Sequence, residues 1–125
     1  MGNAVKVAIV GLGRVGSTFI ERLVEFDGKG VSIIAVAEKK QDAPGVEMAK
    51  AKGLKVFDSE EAILEMGGAV DVIFDLTGDK TVERNLRFKQ VRSGNMHTVI
   101  VPRTVAVLIW NLISEETLPE HSSNA

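Results

Sequence analysis

The chain has no cysteine and no tyrosine, and its 125 residues include only three prolines and one tryptophan. Without cysteine there can be no disulfide, no thiolate nucleophile and no cysteine-ligated metal. Neither sign of charge is in large excess, since 15 basic and 17 acidic residues leave a net charge of −2. The longest uncharged apolar stretch, residues 104–114, is shorter than the roughly 20 residues that span a bilayer. We therefore expect a cytoplasmic protein that binds neither nucleic acid nor membrane.

The overall composition fits one folded domain. Hydrophobic residues make up 45% of the chain and charged residues 26%, which is typical of a globular protein. The length is close to the most common size of a single domain. We expect a folded domain over residues 1–114 and a polar tail over residues 115–125.

A glycine motif near the N-terminus is the most informative local feature. Residues 11–16 read G-L-G-R-V-G, a G-x-G-x-x-G pattern that follows a strand-like apolar run and opens an amphipathic helix pattern. Gly11 permits a tight turn, Gly13 lets a pyrophosphate approach the backbone, and Gly16 lets the helix pack closely on the strand. The N–H groups and dipole at the helix start favour the diphosphate. We predict that Gly11, Gly13, Arg14, Val15 and Gly16 bind a dinucleotide, with Arg14 either contacting a phosphate or lying solvated on the surface.

Glu38 closes the second strand pattern and completes the motif. It lies about 20 residues after the last glycine, the spacing expected for the acid that binds the adenine ribose 2′-hydroxyl. This carboxylate would repel the 2′-phosphate of NADP, but Lys39 and Lys40 follow it and their ammonium groups could accept that phosphate. We expect NAD as the cofactor, with NADP as the alternative, and include Lys39 among the cofactor-binding residues. The other interpretation of residues 39–42 is a solvated loop.

Strand and helix patterns alternate along the whole chain. The patterns predict strands over 4–10, 31–37, 54–57, 70–76 and 97–101, and helices over 14–26, 46–52, 60–66, 81–91 and after Pro102. This alternation predicts an α/β fold with a single Rossmann-type, doubly wound parallel sheet of about five strands in the order 3-2-1-4-5. The ligand should then lie at the switch point between strands one and four, over residues 11–16 and the strand end at Thr77-Gly78.

These motifs carry a resemblance to a known family. The glycine loop, Glu38 and the sequence V-I-F-D-L-T-G at residues 72–78 resemble the NAD-binding domain shared by homoserine dehydrogenase, aspartate dehydrogenase and their relatives. The D-L-T end of that strand is also similar to the corresponding strand of dihydrodipicolinate reductase. The resemblance covers roughly the first eighty residues and the remainder only as a fold. It implies that Thr77 and Gly78 contact the ribose and nicotinamide of the cofactor.

A second, fainter resemblance covers the whole chain. With D-A-P-G at residues 42–45 and L-I-W-N-L at residues 108–112, the chain is similar to small Rossmann domains that precede bacterial sensor kinases. That resemblance implies a sensory role.

Candidate catalytic residues are few. The dehydrogenases named above carry a second domain that binds the substrate and supplies a catalytic lysine or histidine, and no such domain is recognisable in this sequence. We expect His97, which precedes an apolar strand, to be structural, and His121 to lie solvated in the polar tail. Asp79 either caps the next helix or touches a ligand. The sequence contains no evident Ser-His-Asp set or carboxylate pair, so we assign no catalytic residue and no metal site.

The last helix is apolar on nearly every side. Such a helix is normally buried on more than one face, which predicts a homodimer contact or a partner domain. The residues assigned to this contact are Val105, Leu108, Ile109, Trp110 and Leu112. The alternative is that the helix carries excess apolar surface without a partner.

Three classes of function remain open at this stage. The first, which we favour, is a regulatory or sensory NAD(H)-binding module that is not catalytic alone. The second is the cofactor-binding domain or subunit of an NAD(P)-dependent dehydrogenase of the homoserine dehydrogenase type. The third is a Rossmann domain that binds coenzyme A, another nucleotide or nothing. Fold alone does not choose between these classes.

Overall fold

A five-stranded parallel sheet in the order β3-β2-β1-β4-β5 forms the centre of the protein. This computed structural model describes residues 4–114, so the predictions for residues 115–125 lie outside the described residues. The strands are β1 (Val5–Val10), β2 (Val31–Ala37), β3 (Val56–Phe57), β4 (Val72–Asp75) and β5 (Val99–Val101). The helices are α1 (Arg14–Leu23), α2 (Pro44–Ala51), α3 (Glu60–Leu64), α4 (Lys80–Ser93) and α5 (Arg103–Ile113). The predicted α/β class and strand order are confirmed, and the fold is Rossmann-like.

The register of the central strands places the candidate site at one edge of the sheet. β1 pairs with β2 along its whole length, so that Val10 lies opposite Ala37. On its other side β1 pairs with β4, and Val10 lies opposite Asp75. Because all strands are parallel, their carboxyl ends meet at the same edge. The glycine loop that follows Val10, the end of β2 and the end of β4 are therefore neighbours.

Apolar cores fill both faces of the sheet. On the first face, the ring of Phe19 lies 5.2 Å from that of Phe74 and 6.3 Å from that of Trp110, measured between centroids. On the second face, Ile63 of α3 and Leu86 of α4 belong to a separate buried cluster. Helices cover both faces, which explains why β1 and β2 are nearly continuous runs of apolar residues.

The prediction that Trp110 belongs to an interface is wrong. Its side chain is 2% exposed and packs within the first core, and Ile109 also packs against that core. The large exposed apolar side chains of α5 are instead those of Val105, Leu108 and Leu112. A helix pattern that is apolar on all sides does not indicate which of its faces is buried. In this structure, the buried face of α5 includes Trp110. No described helix is long and apolar enough to cross a membrane.

β4 and β5 begin later than predicted. β5 begins at Val99 because the two preceding N–H groups, of His97 and Thr98, donate to the side-chain oxygen of Asn95. β4 begins at Val72, since the N–H of Val70 donates to the carbonyl of Gly67 within a 3-10 turn. Side-chain and turn hydrogen bonds thus replace sheet pairing at these positions. At the carboxyl ends, where the candidate site lies, β4 ends at Asp75, one residue before the predicted end, and β5 ends at Val101 as predicted.

Candidate functional site

Two glycines of the loop are required by contacts within the protein. Gly11 has φ +102°, and a Cβ atom added to it would lie 3.0 Å from the backbone nitrogen of Thr77. A Cβ atom on Gly16 would overlap the carbonyl oxygen of Gly11. Only glycine allows the loop to pass this close to the end of β4 and the start of α1. These two glycines have the structural roles that the motif predicts.

Gly13 lies in a different environment. It is the N-cap residue of α1, its backbone is extended, and apart from its chain neighbours no atom of residues 4–114 lies within 4 Å of a Cβ atom placed on it. The N–H groups of the next three residues, Arg14, Val15 and Gly16, donate to no other residue in the range 4–114. The side chain of Arg14 is exposed, whereas that of Val15 is buried. The helix therefore begins with open space and unpaired N–H groups, a combination that favours an anion.

The Glu38 carboxylate is held in place by the backbone on both sides. One oxygen accepts from the N–H of Leu12 in the glycine loop at 2.6 Å, and the other accepts from the N–H of Lys40 at 3.0 Å. The side chain of Gln41 donates to the Glu38 carbonyl at 2.6 Å. Each carboxylate oxygen has two acceptor lone pairs, so both oxygens retain capacity for a ligand hydroxyl. Glu38 thus links the end of β2 to the glycine loop.

A pocket of about 300 Å³ opens between these elements. It brings together five of the predicted site residues, Gly11, Gly13, Glu38, Lys39 and Thr77. The side chains of Lys39 and Lys40 are exposed. The other residues of its wall are Val10, Ala37, Lys40, Glu60, Leu76, Asp79 and Val82. The volume lies at the lower end of the range for small-molecule sites.

The end of β4 is organised by hydrogen bonds around Asp75. One carboxylate oxygen of Asp75 accepts from the Thr77 N–H at 3.1 Å and from its hydroxyl at 2.7 Å. The Thr77 hydroxyl oxygen in turn accepts from the N–H of Asp79, whose carboxylate caps α4 by accepting from the N–H of Thr81. Burial raises the pKa of Asp75 above its ordinary value, although the bonds from Thr77 oppose the shift. Asp79 therefore caps α4, as one of the two interpretations of this residue predicts.

A second cavity, of about 210 Å³, lies on the other side of β4. Gly78, predicted to contact the cofactor, lines this cavity and not the first one. Charged side chains surround it, among them Asp75, Lys80 and Arg103. The Nε atom of Arg103 is buried and has no hydrogen-bond partner in the described part of the chain.

One residue of the pocket, Glu60, and one that supports the glycine loop, Gly45, were missed from the sequence. Glu60, the first residue of α3, is only 4% exposed and lines the first pocket. Nothing in the sequence distinguishes it from Glu61, which lies half-exposed on the surface. Gly45 donates its N–H to the carbonyl of Leu12 at 2.9 Å, and a Cβ atom on it would lie 2.9 Å from the same oxygen. A glycine directly after Pro44 at a helix start was the sequence signal for this close approach to Leu12.

His97 does not line this site. His97 lies ahead of β5, at the amino edge of the sheet, where its Nε2 is 2.6 Å from a carboxylate oxygen of Asp71. The other Asp71 oxygen accepts from the N–H of Lys6, and both bonds lower the pKa of Asp71. His121 lies outside the described residues. Within residues 4–114, no three histidine, aspartate or glutamate side chains are grouped to hold a metal ion.

Neither a search of protein-family models nor a search of curated protein sequences finds a match for this chain.

Proposed function

We propose that this chain binds NAD(H) and acts as a regulatory or sensory module that is not catalytic by itself. The observation that supports this most directly is the open space over Gly13. This space lies at the start of α1 and continues into the pocket that contains Glu38. A diphosphate over Gly13 would meet the unpaired N–H groups of the helix, and an attached ribose would reach the Glu38 carboxylate.

Each part of the dinucleotide then has a chemically suitable place. The ribose hydroxyls donate to Glu38, whose oxygens are already positioned by Leu12 and Lys40. The adenine base lies against the apolar wall formed by Val10, Ala37, Leu76 and Val82. The nicotinamide half extends past Thr77 and Gly78 towards the second cavity. NAD supplies hydride chemistry when bound, whereas the chain's residues bind and orient it.

The Glu38 carboxylate favours NAD over NADP, because a 2′-phosphate would meet its negative charge. Lys39 and Lys40 line the same pocket, and their ammonium groups can pair with that phosphate. NADP should therefore bind, but more weakly than NAD. Titration calorimetry with NAD, NADH, NADP and coenzyme A tests the assignment. We expect NAD and NADH to bind, NADP to bind more weakly and coenzyme A not to bind. Binding of coenzyme A without NAD would place the chain in the third class of function.

A regulatory role is favoured by the hydrogen bonds of Asp75, the last residue of β4. Asp75 accepts two hydrogen bonds from Thr77 and helps to shape the loop after β4. We expect the chain alone not to oxidise or reduce homoserine, aspartate or related substrates. Steady turnover, followed by NADH absorbance, would support the dehydrogenase alternative.

The partner we propose for α5 is a second copy of the chain. Val105, Leu108 and Leu112 lie on the helix surface with exposed fractions of 39%, 57% and 76%. We expect a dimer in analytical sedimentation that Leu108→Ser combined with Leu112→Ser converts to a monomer. Val91→Ser, at an exposed position of α4, is the matched control. A wild-type chain that remains monomeric at high concentration would contradict the homodimer.

A further inference from the structure

A buried carboxylate in the first pocket has more hydrogen-bonding capacity than the protein uses. Glu60 is 4% exposed, and burying a carboxylate is costly unless it is paired. One of its oxygens accepts from the side-chain amide of Asn85 at 3.3 Å. The other accepts from none of residues 4–114, yet it is not fully enclosed. Glu60 lines the pocket, and its second oxygen has no donor among residues 4–114.

The neighbouring glutamate shows that this placement is specific to Glu60. Glu61 lies half-exposed and pairs with Lys89, with 3.2 Å between the ammonium nitrogen and the carboxylate oxygen. Glu60 forms no ion pair with any residue that the structure describes. It is the first residue of α3, and one of its oxygens has no donor among the described residues. A donor from a ligand would complete its hydrogen bonding.

We propose that Glu60 accepts a hydrogen bond from the 6-amino group of the adenine base and so selects adenine over hypoxanthine. This inference rests on the proposed binding of NAD(H). The phosphates carry no donor, and the ribose hydroxyls of the adenosine half are engaged by Glu38. The 6-amino group is the donor that remains once the base lies on the apolar wall of the pocket. Hypoxanthine has a carbonyl oxygen at that position, which would face the carboxylate as a second acceptor.

The test compares NAD with nicotinamide hypoxanthine dinucleotide, which has a carbonyl oxygen in place of the 6-amino group and a hydrogen on the adjacent N1. We expect wild-type protein to bind NAD about tenfold more tightly or better, because the analogue has no donor at position 6 and places a second acceptor there. Glu60→Gln keeps the side-chain volume and can donate to the hypoxanthine carbonyl, so the preference should fall towards equal affinity. Glu61→Gln is the matched control and should keep the wild-type preference. Thermal unfolding of both variants shows whether each remains folded.

The outcomes separate this inference from the proposed function. Equal affinity of wild-type protein for the two dinucleotides would overturn the role of Glu60 and leave NAD binding intact. An unchanged preference in folded Glu60→Gln would also overturn it. If neither dinucleotide binds, the proposed function fails and the role of Glu60 fails with it. If Glu60→Gln does not fold, equal affinity of wild-type protein for the two dinucleotides would still overturn the role of Glu60, since that comparison needs no variant.

Discussion

The two cavities at the carboxyl edge of the sheet are built differently. In the first, between the ends of β1 and β2, the Glu38 carboxylate is fixed by two backbone N–H groups and faces an apolar wall. In the second, beyond β4, charged side chains surround the space, and the Nε of Arg103 is buried without a described partner. A buried donor without a partner costs about 1–3 kcal/mol. The acid of the first cavity is therefore fixed by backbone donors, whereas a residue that borders the second has a buried donor without a described partner.

This difference indicates which half of a ligand the chain recognises by itself. Preorganised groups lose little entropy on binding and give both affinity and specificity. The adenosine half should therefore be bound through the first cavity, with defined hydrogen bonds. The half that enters the second cavity meets unpaired charge.

Gly16→Ala should have the largest effect, because it damages the loop on which the first cavity depends. The added Cβ atom would overlap the backbone carbonyl of Gly11, and backbone cannot move as a flexible side chain can. We expect a loss of about 3 kcal/mol in the free energy of unfolding, measured by urea denaturation. Gly13→Ala is the control and should unfold close to wild type. Equal stability of Gly16→Ala and wild type would show that the loop is not built as described.

Glu38→Ala should have the next largest effect and tests the preorganised carboxylate. Loss of a charged acceptor should weaken NAD binding by about 1–3 kcal/mol. It should also reduce the difference between the affinities for NAD and NADP. The Leu12 and Lys40 N–H groups also lose their acceptor, so the glycine loop should be less stable. Calorimetry with both dinucleotides measures the change, and Glu38→Gln, which keeps one acceptor oxygen, should lose less. If the wild-type chain bound NADP more tightly than NAD, Lys39 and Lys40, and not Glu38, would determine the choice of dinucleotide.

Asp75→Asn should have a smaller effect and probes the acid that borders the second cavity. Burial raises the pKa of Asp75 above its ordinary value of 3.8. The folded protein therefore binds this proton more tightly than the unfolded chain does, and stability falls as the pH rises from 3.8 through the folded pKa. Both bonds from Thr77 reach the same oxygen, so the asparagine amide oxygen can accept them without charge.

We expect Asp75→Asn to be at least as stable as wild type at pH 7 and to have a flatter stability profile above pH 3.8. Urea denaturation across this range measures the difference. A stability difference that stays constant with pH would contradict the assigned pKa shift.

The sequence predicted the sheet order because the features that determine it are local. Apolar runs, glycine breaks and the spacing from Gly16 to Glu38 are all visible along the chain. The role of Glu60 was not visible, because the adjacent Glu61 is chemically identical and only packing against Asn85 of α4 separates them. Trp110 was misplaced for a similar reason, since its contact with Phe19 joins residues far apart in sequence. Tertiary packing decides such cases, and one sequence does not contain that information.

The most direct test of the central claim is a fluorescence titration of Gly13→Val with NADH. The backbone of Gly13 has φ −74°, which valine can adopt, and the space around its Cβ position is open. The variant should therefore fold, with its stability lowered by about 1 kcal/mol or less at this N-cap position, while its side chain fills the proposed diphosphate position. We predict that wild-type protein binds NADH and that the folded variant does not. Equal affinity of the two proteins for NADH would contradict the account.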